Sequence, residues 1–592
     1  MIAFGREEIE GSVGARFRRV VAAQPEARAI GDGAEGITYA QLDARSDAYA
    51  AGLAGLPGDG AVALVFPHGM EAVVALFGAL KAGVPAMVVD PLAPPDGTGA
   101  LLATAALVVT EPSCAAWCEA RAAGVPIHAG PPPVVAPPRP PPGPGSPGVI
   151  FHTSASTGAA KGVVRSHRTL LRHAWFLPDR HGYGPGERVS HLSSFAYAGS
   201  VPVIFGGLLS GATIEVFDIR HRNAADFTAW ACERDITLLQ VTPTLLREVV
   251  EILGRTRHPW QPRRVTVGGE ALRASDLHAM RGQLGWQCPV VNRLASSEAG
   301  IIAEWEVDAA RIGPDGGVPV GWPVEDRIIR ILDEDGTPLP PRTPGEIVIG
   351  GECLSPGYWR MPAETAARFR PDPDRPGGVL LFSGDLGRMD EDGLLEHLGR
   401  TDQMVKIRGY RVELGQVEAA LRKVPGVADA VVLRIPTRVG TDRLLGYVRP
   451  APGLVLDGMA VRAAAGRFLA DYMLPWRILV LDHFPLTAGG KIARQALPLP
   501  DTSRPAGLPP FVPPRTGTER LLAGIWSQLF EIDEIGRDDN FIDLGGDSLD
   551  VLHVTGELYA AMTLYLNDGE LLETPTLSAM AEAVDRARAQ DS

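Results

Sequence analysis

A short apolar strand that runs directly into a loop of hydroxyl and glycine residues is the feature that most restricts this fold. The segment VIFHTSASTGAAKGVVRSH occupies residues 149–167. Small residues let backbone N–H groups approach an anion closely, hydroxyls add donors, and a lysine supplies a compact positive charge. The loop is not the common G-x-x-x-x-G-K-[ST] type, because no Ser or Thr follows the lysine. We therefore predict a phosphate site at a strand end, made by Thr153, Ser154, Ser156, Thr157, Gly158 and Lys161.

Short apolar runs alternate with helical stretches on both sides of this loop. Residues 61–66 (AVALVF), 86–89 (AMVV) and 107–109 (LVV) are bounded by Gly, Pro or Asp, which is typical of buried parallel strands. Residues 70–82 predict a helix. The alternation predicts an α/β domain over residues 1–400.

The C-terminal third has a different pattern. Residues 401–500 mix strands (DAVVLRI, LLGYV) with amphipathic helices such as LGQVEAALRKV, and predict a small α+β domain. A proline-rich linker is predicted at 501–514. Residues 515–592 are mostly helical, with a capping box at Thr516 and Glu519 and two apolar stripes, Leu521, Ile525 and Leu529, and Leu577, Met580, Ala581 and Val584. The proline-rich stretch 131–147 is not taken as a boundary, because the phosphate-loop strand needs the preceding segment to complete its sheet.

Charge and hydropathy exclude several function classes. Lys and Arg number 56 against 70 Asp and Glu, a net charge of −14, which disfavours a general nucleic-acid binder. No apolar leader and no run of about 20 uncharged apolar residues is evident. We predict a cytoplasmic protein with neither a nucleic-acid nor a membrane partner.

Eight further motifs accompany the phosphate loop, and together they resemble the adenylate-forming superfamily of acyl-CoA ligases, luciferases and nonribosomal peptide synthetase adenylation domains. They are ITYAQLD (37–43), LKAGVPAMVVDP (80–91), GGE (268–270), NRLASSEAG (292–300), GEIVIGGECLSPGYW (345–359), FSGDL (382–386), GRTDQMVKIRGYRVELGQVE (399–418) and LTAGGKIAR (486–494). The resemblance covers about residues 10–500. In the phosphate loop, Ala155 and Ala160 replace the family's glycine and proline, which should alter loop stiffness more than its donors.

The resemblance implies ATP-dependent formation of an acyl-adenylate, with Mg²⁺. It implies that Lys491 and Lys161 are catalytic lysines, that Lys491 bridges the carboxylate and the phosphate while Lys161 binds phosphate, and that Glu298 holds the metal ion. Other residues implied to bind ATP are Gly269, Glu270, Leu294, Ser297, Asp385 and Arg400. Leu294 stands where the family has a stacking tyrosine. The absence of that aromatic ring could weaken ATP binding by about 1 kcal/mol. Asp402 matches the hinge about which the small domain turns between the two reactions. This rotation would bring the face that contains Lys406, Arg408 and Gly409 into position for thioester formation.

A second resemblance concerns the helical tail. DDNFIDLGGDSLDVL (538–552) is similar to the phosphopantetheine site of carrier proteins, which implies an all-α four-helix carrier with a 4'-phosphopantetheine arm on Ser548. A phosphate ester at a helix N-terminus is favoured by the helix dipole. The implied partners are a phosphopantetheinyl transferase and a downstream enzyme that takes the acyl thioester in trans, because no further domain fits in this length.

The substrate pocket can be placed by counting from the family's motifs. Amino-acid-activating relatives use an aspartate to pair with the α-ammonium, and that position falls on Ala198. Burying an ammonium against a methyl group would cost several kcal/mol. We therefore expect a small carboxylic acid without a conventionally bound α-ammonium: a keto, hydroxy, aryl or acyl acid. Either Arg293 meets a substrate oxygen, or it does not contact the substrate and instead points outward or pairs with a nearby acid. The pocket set is Tyr197, Ala198, Gly199, Pro202, Gln240, Thr266, Gly268, Arg293, Ile301 and Ile302.

Four alternatives stay open at this point. The chain could activate amino acids through atypical amine recognition, act on free CoA as an acyl-CoA ligase does, or serve as an acyl-carrying scaffold with an inactive adenylation domain. It could also be a fragment of a larger assembly line. Retention of Lys161, Glu298, Asp385 and Lys491 opposes the inactive scaffold, and the fused carrier opposes the ligase.

Overall fold

The chain divides into two compact units. One comprises Met1–Ala155, Ala159–Asp218 and Thr228–Asp402, and the other comprises Gln403–Ser592 with the short segments 156–158 and 219–227. The structure is a computed structural model that describes residues 2–91, 95–122, 124–153, 161–192, 194–219, 222, 224–270, 272, 274–308, 311–312, 318–333, 335–400, 404–407, 410–436, 442–451, 453–482, 484–485, 494–505, 507–546, 548–564, 566, 571 and 573–590.

Helices and strands alternate through residues 1–402, as the apolar runs predicted. The helices are α1 (Val13–Ala23), α2 (Tyr39–Leu53), α3 (Met70–Ala82), α4 (Pro95–Leu102), α5 (Ala115–Glu119), α6 (His167–Trp175), α7 (Leu177–His181), α8 (Val201–Ser210), α9 (Ala224–Glu233), α10 (Pro243–Thr256), α11 (Ala274–Leu284) and α12 (Pro362–Arg368). Short 3₁₀ helices occur at Arg6–Glu10, Pro112–Cys114 and Ala198–Ser200.

The strands of this region belong to three sheets. They are β1 (Arg28–Asp32), β2 (Glu35–Thr38), β3 (Val62–Val65), β4 (Ala86–Val89), β5 (Leu107–Thr110), β6 (Ile127–Ala129), β7 (Pro147–Thr153), β8 (Lys161–Ser166), β9 (Arg188–His191), β10 (Thr213–Val216), β11 (Leu238–Val241), β12 (Arg264–Gly268), β13 (Val290–Ser296), β14 (Gly300–Glu306), β15 (Trp322–Pro323), β16 (Arg327–Leu332), β17 (Gly345–Gly351), β18 (Phe369–Pro371), β19 (Val379–Met389) and β20 (Leu395–Arg400).

A six-stranded sheet carries the phosphate loop. Its order is β6-β5-β3-β4-β7-β8, and β3 pairs in parallel with both β4 and β5, which confirms the three predicted buried strands. The loop connects β7 to β8, which pair antiparallel with Thr153 opposite Lys161. Because β6 precedes the proline-rich stretch 131–147 and β7 follows it in the same sheet, that stretch lies inside the domain.

Helix α3 explains where the core of this unit sits. Residues Ala72 to Leu80 are all essentially inaccessible to solvent, so the helix is apolar around its whole circumference. It contacts β3 and β7 of the six-stranded sheet and also β1, which belongs to a nine-stranded sheet of order β15-β14-β13-β12-β11-β9-β10-β1-β2. The helix is therefore a central layer between two sheets. Strands β16, β17, β18, β19 and β20 form the third sheet.

The second unit combines a small α+β domain with a helical bundle. Its elements are β21 (Met404–Ile407), β22 (Tyr410–Glu413), α13 (Leu414–Arg422), β23 (Val427–Pro436), β24 (Asp442–Pro450), α14 (Gly458–Ala465), β25 (Arg477–Val480), α15 (Gly517–Phe530), α16 (Ser548–Met562) and α17 (Leu577–Gln590), with 3₁₀ helices at Asp471–Met473 and Arg494–Ala496. Strands β23, β24 and β25 form one sheet, and β21 pairs with β22. The α+β and all-α predictions for these two parts are confirmed.

The bundle core differs from prediction in one helix. The capping box of Thr516 and Glu519 begins α15 as expected. The second predicted stripe, on α17, is buried as expected. On α15, however, Leu521 is only partly buried, and Leu522 takes the core position with Trp526, which is fully buried. The reason is that α15 buries a wide face that includes two aromatic residues, not the single stripe that the aliphatic spacing indicated.

The linker lies along the rest of its unit. Thr502 and Asp533 exchange a backbone hydrogen bond of 2.9 Å and a side-chain hydrogen bond of 2.6 Å. Arg504 forms a bidentate ion pair with Asp539. Its described residues lack helix and strand, as the prolines predicted, but these bonds fix it in place.

Candidate active site

Lys161 and Glu298, which are far apart in sequence, lie on the same tyrosine. The Lys161 ammonium is 5.6 Å from the centre of the Tyr358 ring. The Tyr358 hydroxyl donates a hydrogen bond of 3.1 Å to Glu298 Oε1, and Glu298 is 7% exposed. A cation and a carboxylate thus stand together beside the strand that leaves the phosphate loop. Tyr358 belongs to the GEIVIGGECLSPGYW motif, but only the tertiary structure shows that its ring and hydroxyl contact Lys161 and Glu298.

Two hydrogen bonds to backbone carbonyls hold the turn that carries Glu298. Arg165 Nη1 donates a hydrogen bond of 3.2 Å to the carbonyl of Ser297, and the Ser355 N–H donates one of 2.8 Å to the carbonyl of Glu298. Burial lowers the pKa of Arg165 to about 10, which leaves it charged at neutral pH. The Ser297 side chain is half-exposed, so its hydroxyl is available to a ligand.

Asp385 and Arg400 come together by strand register. They are directly opposite each other in the antiparallel pair β19–β20. The Asp385 N–H donates a hydrogen bond of 3.0 Å to the Ser383 hydroxyl, and His397 Nε2 lies 3.4 Å from Asp385 Oδ1. His397 was not predicted; it stands three residues before Arg400, just outside the motif that begins at Gly399. The pairing places the two predicted nucleotide residues at one point of the third sheet.

The predicted adenine residues occupy two strand ends. Gly268 is the last residue of β12, and Gly269 follows with φ of +89°, a conformation that favours glycine. Glu270 follows in a half-buried bend. Leu294 is 5% exposed and packs in an apolar cluster with Ile302, Ile331 and Ile349, among others. The adenine-binding role of these residues stays a prediction.

The predicted substrate residues lie on adjacent strands. Gln240 pairs with Thr266 across β11 and β12, and Gly268 pairs with Arg293 across β12 and β13. Gln240 Nε2 donates a hydrogen bond of 3.3 Å to the carbonyl of Gly199, which joins β11 to the 3₁₀ helix at Ala198–Ser200. Gln240 Oε1 is buried and accepts no hydrogen bond within the described part of the chain.

Arg293 is held by a buried network that sequence reasoning did not include. Its Nε donates a hydrogen bond of 2.5 Å to Glu304 Oε1, and His181 Nε2 donates one of 2.8 Å to Glu304 Oε2. Burial alone would raise the pKa of Glu304, but Arg293 and His181 lower it to about 2. Burial lowers the pKa of His181. A second, more exposed guanidinium lies near the same carboxylate, because Arg180 Nε is 3.9 Å from Glu304 Oε2. Arg293 thus pairs with an acid, one of the predicted alternatives, while its Nη1 and Nη2 form no hydrogen bond with any described residue.

The remaining pocket residues lie in different surroundings. Tyr197 and Ala198 are half-buried, and Pro202 lies in the first turn of α8. Ile301 and Ile302 are both inaccessible to solvent, but Ile301 packs in the large core cluster and Ile302 in the cluster around Leu294. Their roles as substrate contacts stay predictions.

Several predicted residues fall outside the described part. Ser154, Ser156, Thr157, Gly158, Arg408, Gly409, Asp402 and Lys491 are among these, as are the side chains of Thr153, Arg400, Lys406 and Ser548. Two backbone facts bear on them: the division between the units follows Asp402, and α16 begins at Ser548.

Comparison with known proteins gives the family. Residues 17–359 match the model of the AMP-binding enzyme family, and residues 416–491 match the AMP-binding enzyme C-terminal domain. The chain belongs to the AMP-binding enzymes. Residues 520–584 match the phosphopantetheine attachment site family, so this AMP-binding enzyme also contains a carrier domain, as the motifs predicted.

Curated relatives are peptide synthetases by name. The chain is 35% identical over 590 residues to phosphinothricin tripeptide synthetase PhsB of Streptomyces viridochromogenes, covering 94% of this chain and 48% of the relative. It is 30% identical over 612 residues to a dimodular nonribosomal peptide synthase of Bacillus subtilis, covering 98% of this chain and 25% of the relative. It therefore spans half or less of the length of these relatives.

A solved structure is similar along almost the whole chain. It is holo-PA1221, an NRPS protein containing adenylation and PCP domains bound to a vinylsulfonamide inhibitor. The TM-score is 0.80 at 24% identity, covering 98% of this chain and 97% of that chain. This likeness establishes the fold.

The residues present fit the family's cofactors. The carboxylate of Glu298 is an oxygen ligand of the kind that Mg²⁺ prefers, and Lys161, which lies over the ring of the same Tyr358, suits a phosphate. Ser548 at the first position of α16 suits a phosphate ester. Separately, none of the helices in the described residues is both long enough and apolar enough to cross a membrane.

Proposed function

We propose that this chain uses ATP and Mg²⁺ to convert a carboxylic acid into an acyl-adenylate and then transfers the acyl group to its own carrier. The observation that supports this most is that Lys161 and Glu298 both contact Tyr358, Lys161 over its ring and Glu298 at its hydroxyl. A lysine suits the phosphates and a glutamate suits the metal ion, so the two groups together fit a metal–nucleotide complex. A phosphopantetheine arm on Ser548 supplies the thiol that accepts the acyl group.

Catalysis by this site depends on positioning the two substrates and on stabilising the negative charge of the transition state. Attack of the substrate carboxylate on the α-phosphorus forms a P–O bond and releases pyrophosphate, and the developing charge needs fixed cations. Lys161 supplies one from the large unit, and Lys491 supplies the second by contact with the carboxylate and the phosphate. Asp385 accepts hydrogen bonds from the ribose, and Arg400 opposite it donates to the nucleotide.

The acid is proposed to lack a conventionally bound α-ammonium. Ala198 gives no carboxylate at the position where amino-acid-activating relatives have one. In contrast, Arg293 offers two NH2 groups, Nη1 and Nη2, that bond to no described residue, and they suit an acceptor oxygen on the substrate. Gln240 Oε1 offers an acceptor for a hydroxyl or amide donor. This combination favours a keto or hydroxy acid, or an acid with a second carbonyl.

Intact-protein mass of the pantetheinylated chain after incubation with ATP and a panel of acids tests the function. The expected result is an added acyl mass that requires ATP. Ser548→Ala should lose the added mass but keep ATP–pyrophosphate exchange, and Lys491→Ala should lose both. Lys423→Ala is the matched control, because Lys423 lies against Phe468 in the small domain and should keep both activities. Absence of any exchange with every acid would refute the proposal.

The same panel decides between substrates and between enzymes. The relatives named as peptide synthetases favour α-amino acids as a second candidate, and robust exchange with ordinary α-amino acids alone would exclude the Ala198 argument. Transfer to free CoA without loading of Ser548 would indicate a CoA ligase. The phosphopantetheinyl transferase and the downstream acceptor of the thioester are proposed partners.

A further inference from the structure

The small domain and the carrier meet through a buried ion pair. Arg443 Nη2 on β24 donates a hydrogen bond of 2.5 Å to Asp550 Oδ1 on α16, and the two side chains are only 3% and 5% exposed. Asp550 stands two residues after the attachment serine. Burying two charges is costly, and such pairs are therefore weak evidence for stability. They do discriminate between partners, because an unmatched charge in the same place is strongly unfavourable.

A tryptophan of the small domain forms the apolar part of this contact. Trp476, which directly precedes β25, is 4% exposed and belongs to the carrier's own apolar cluster with Trp526, Phe530 and Phe541. The Arg443 guanidinium lies 5.3 Å from the Trp476 ring and 5.8 Å from the Phe530 ring. The cation is therefore enclosed by one aromatic ring from each domain.

The loop that precedes the attachment serine fits closely against the same face. A Cβ atom on Gly545 would lie 2.4 Å from the carbonyl oxygen of Trp476, so the approach requires glycine, and its φ of +100° does as well. Arg462 Nη1 on α14 donates a hydrogen bond of 2.9 Å to the carbonyl of Ile542. The small domain thus contacts the loop at Ile542 and at Gly545, and it contacts the carrier again at Asp550, after the loop.

We propose that Arg443, Arg462 and Trp476 form a docking face that recognises a carrier by an acidic residue two positions after its attachment serine. The partner is the chain's own carrier, and Arg443 recognises it by pairing with the negative charge of Asp550. The docking face holds both the loop before Ser548 and the first turn after it. It therefore positions the serine that the proposed function loads, and this inference rests on that function.

Charge exchange distinguishes recognition from mere packing. Arg443→Asp places two carboxylates together, Asp550→Arg places two guanidinium groups together, and the double variant restores an opposite pair. Arg443→Met keeps an apolar side chain of similar length between the two aromatic rings, so it preserves the packing of the rings while it removes the charge. Arg449→Asp, on the same strand, and Glu582→Arg, an exposed acid of the carrier on α17, are matched controls.

The first measurement is native-state hydrogen exchange of α16 and of β24 in the full-length pantetheinylated chain, which needs no substrate. We expect exchange in α16 to rise by about tenfold or more in each single charge reversal, and to return most of the way in the double variant. The controls should exchange at the unmodified rate. Equal exchange in the single variants and the controls, or a double variant no better than the singles, would overturn the proposal.

The second measurement is the loading rate of Ser548 by intact-protein mass, with ATP–pyrophosphate exchange in parallel. Arg443→Asp and Arg443→Met should slow loading by about tenfold while pyrophosphate exchange is unchanged. If loading is unchanged in both, the docking face does not recognise the carrier. If the unmodified chain gives no pyrophosphate exchange, the proposed function fails, whereas the hydrogen-exchange result still decides the docking contact.

Discussion

Replacing Glu304 with glutamine should destabilise the large unit, because among the described residues Glu304 is the carboxylate that bonds to Arg293. Glutamine keeps the shape of the side chain but leaves a buried guanidinium without a carboxylate. The pKa of Glu304 falls from an ordinary 4.5 to about 2 in the folded protein. Since each whole step of pKa corresponds to about 1.4 kcal/mol, the carboxylate form contributes about 3 kcal/mol.

The neighbouring residue on the same strand provides the control. Glu306 is bonded to Arg264 over 2.9 Å, but its side chain is 60% exposed. An exposed ion pair contributes about 0–1 kcal/mol, so Glu306→Gln should change little. The assay is native-state hydrogen exchange of the amides of β14, which contains both residues. A Glu304→Gln variant that loses no more stability than Glu306→Gln would refute the reasoning.

The same pKa gives a pH dependence with a definite sign. Because the folded pKa is depressed, the stabilisation is present above the unfolded value of 4.5 and is lost as the pH falls towards about 2. Between these limits, Glu304→Gln should lose stability less steeply than the unmodified chain. Parallel pH profiles for the two proteins would contradict the assignment of the low pKa to Glu304.

Three further predictions concern other parts of the molecule. Tyr358→Phe removes the 3.1 Å hydrogen bond to Glu298 and should raise the Mg²⁺ concentration needed for half-maximal pyrophosphate exchange by about tenfold; an unchanged requirement would contradict the metal role. Arg172→Met should leave the thermal midpoint of unfolding unchanged or raise it, because Arg172 is 1% exposed and makes no hydrogen bond within the described residues. Arg327→Met should lower that midpoint, because Arg327 donates hydrogen bonds to three backbone carbonyls. Equal shifts in the two variants would contradict this contrast. Gly545→Ala should lower the loading rate of the carrier without changing pyrophosphate exchange, because its Cβ would strike a backbone carbonyl of the small domain; normal loading would show that the close approach is not needed.

Features that depend on neighbouring residues were well predicted. Helix α3 has the predicted bounds, and the capping box at Thr516 begins a helix where it should. The strands at residues 62–65 and 86–89 are where the apolar runs placed them. Local spacing is sufficient for such elements, because a helix or strand buries one face set by its own period.

Contacts between residues far apart in the chain were not predicted, although the sequence contains every residue that makes them. Tyr358 and Glu298 are 60 positions apart, His181 and Glu304 are 123 apart, and Arg443 and Asp550 are 107 apart. No short pattern links such positions. The burial of Leu522 in the bundle core, where Leu521 was expected, has a similar cause, since the facing helices and Trp526 decide which side is buried.

The sequence by itself determined the family, the order of the domains and the identity of the chemical groups, because ordered motifs and local periodicity are carried by consecutive residues. Only the tertiary structure decided which of these groups meet: Lys161 and Glu298 at one tyrosine, Arg293 at Glu304, and Arg443 at Asp550. The physical reason is that strand register and the packing of apolar faces set those distances, and both depend on segments far apart in the chain.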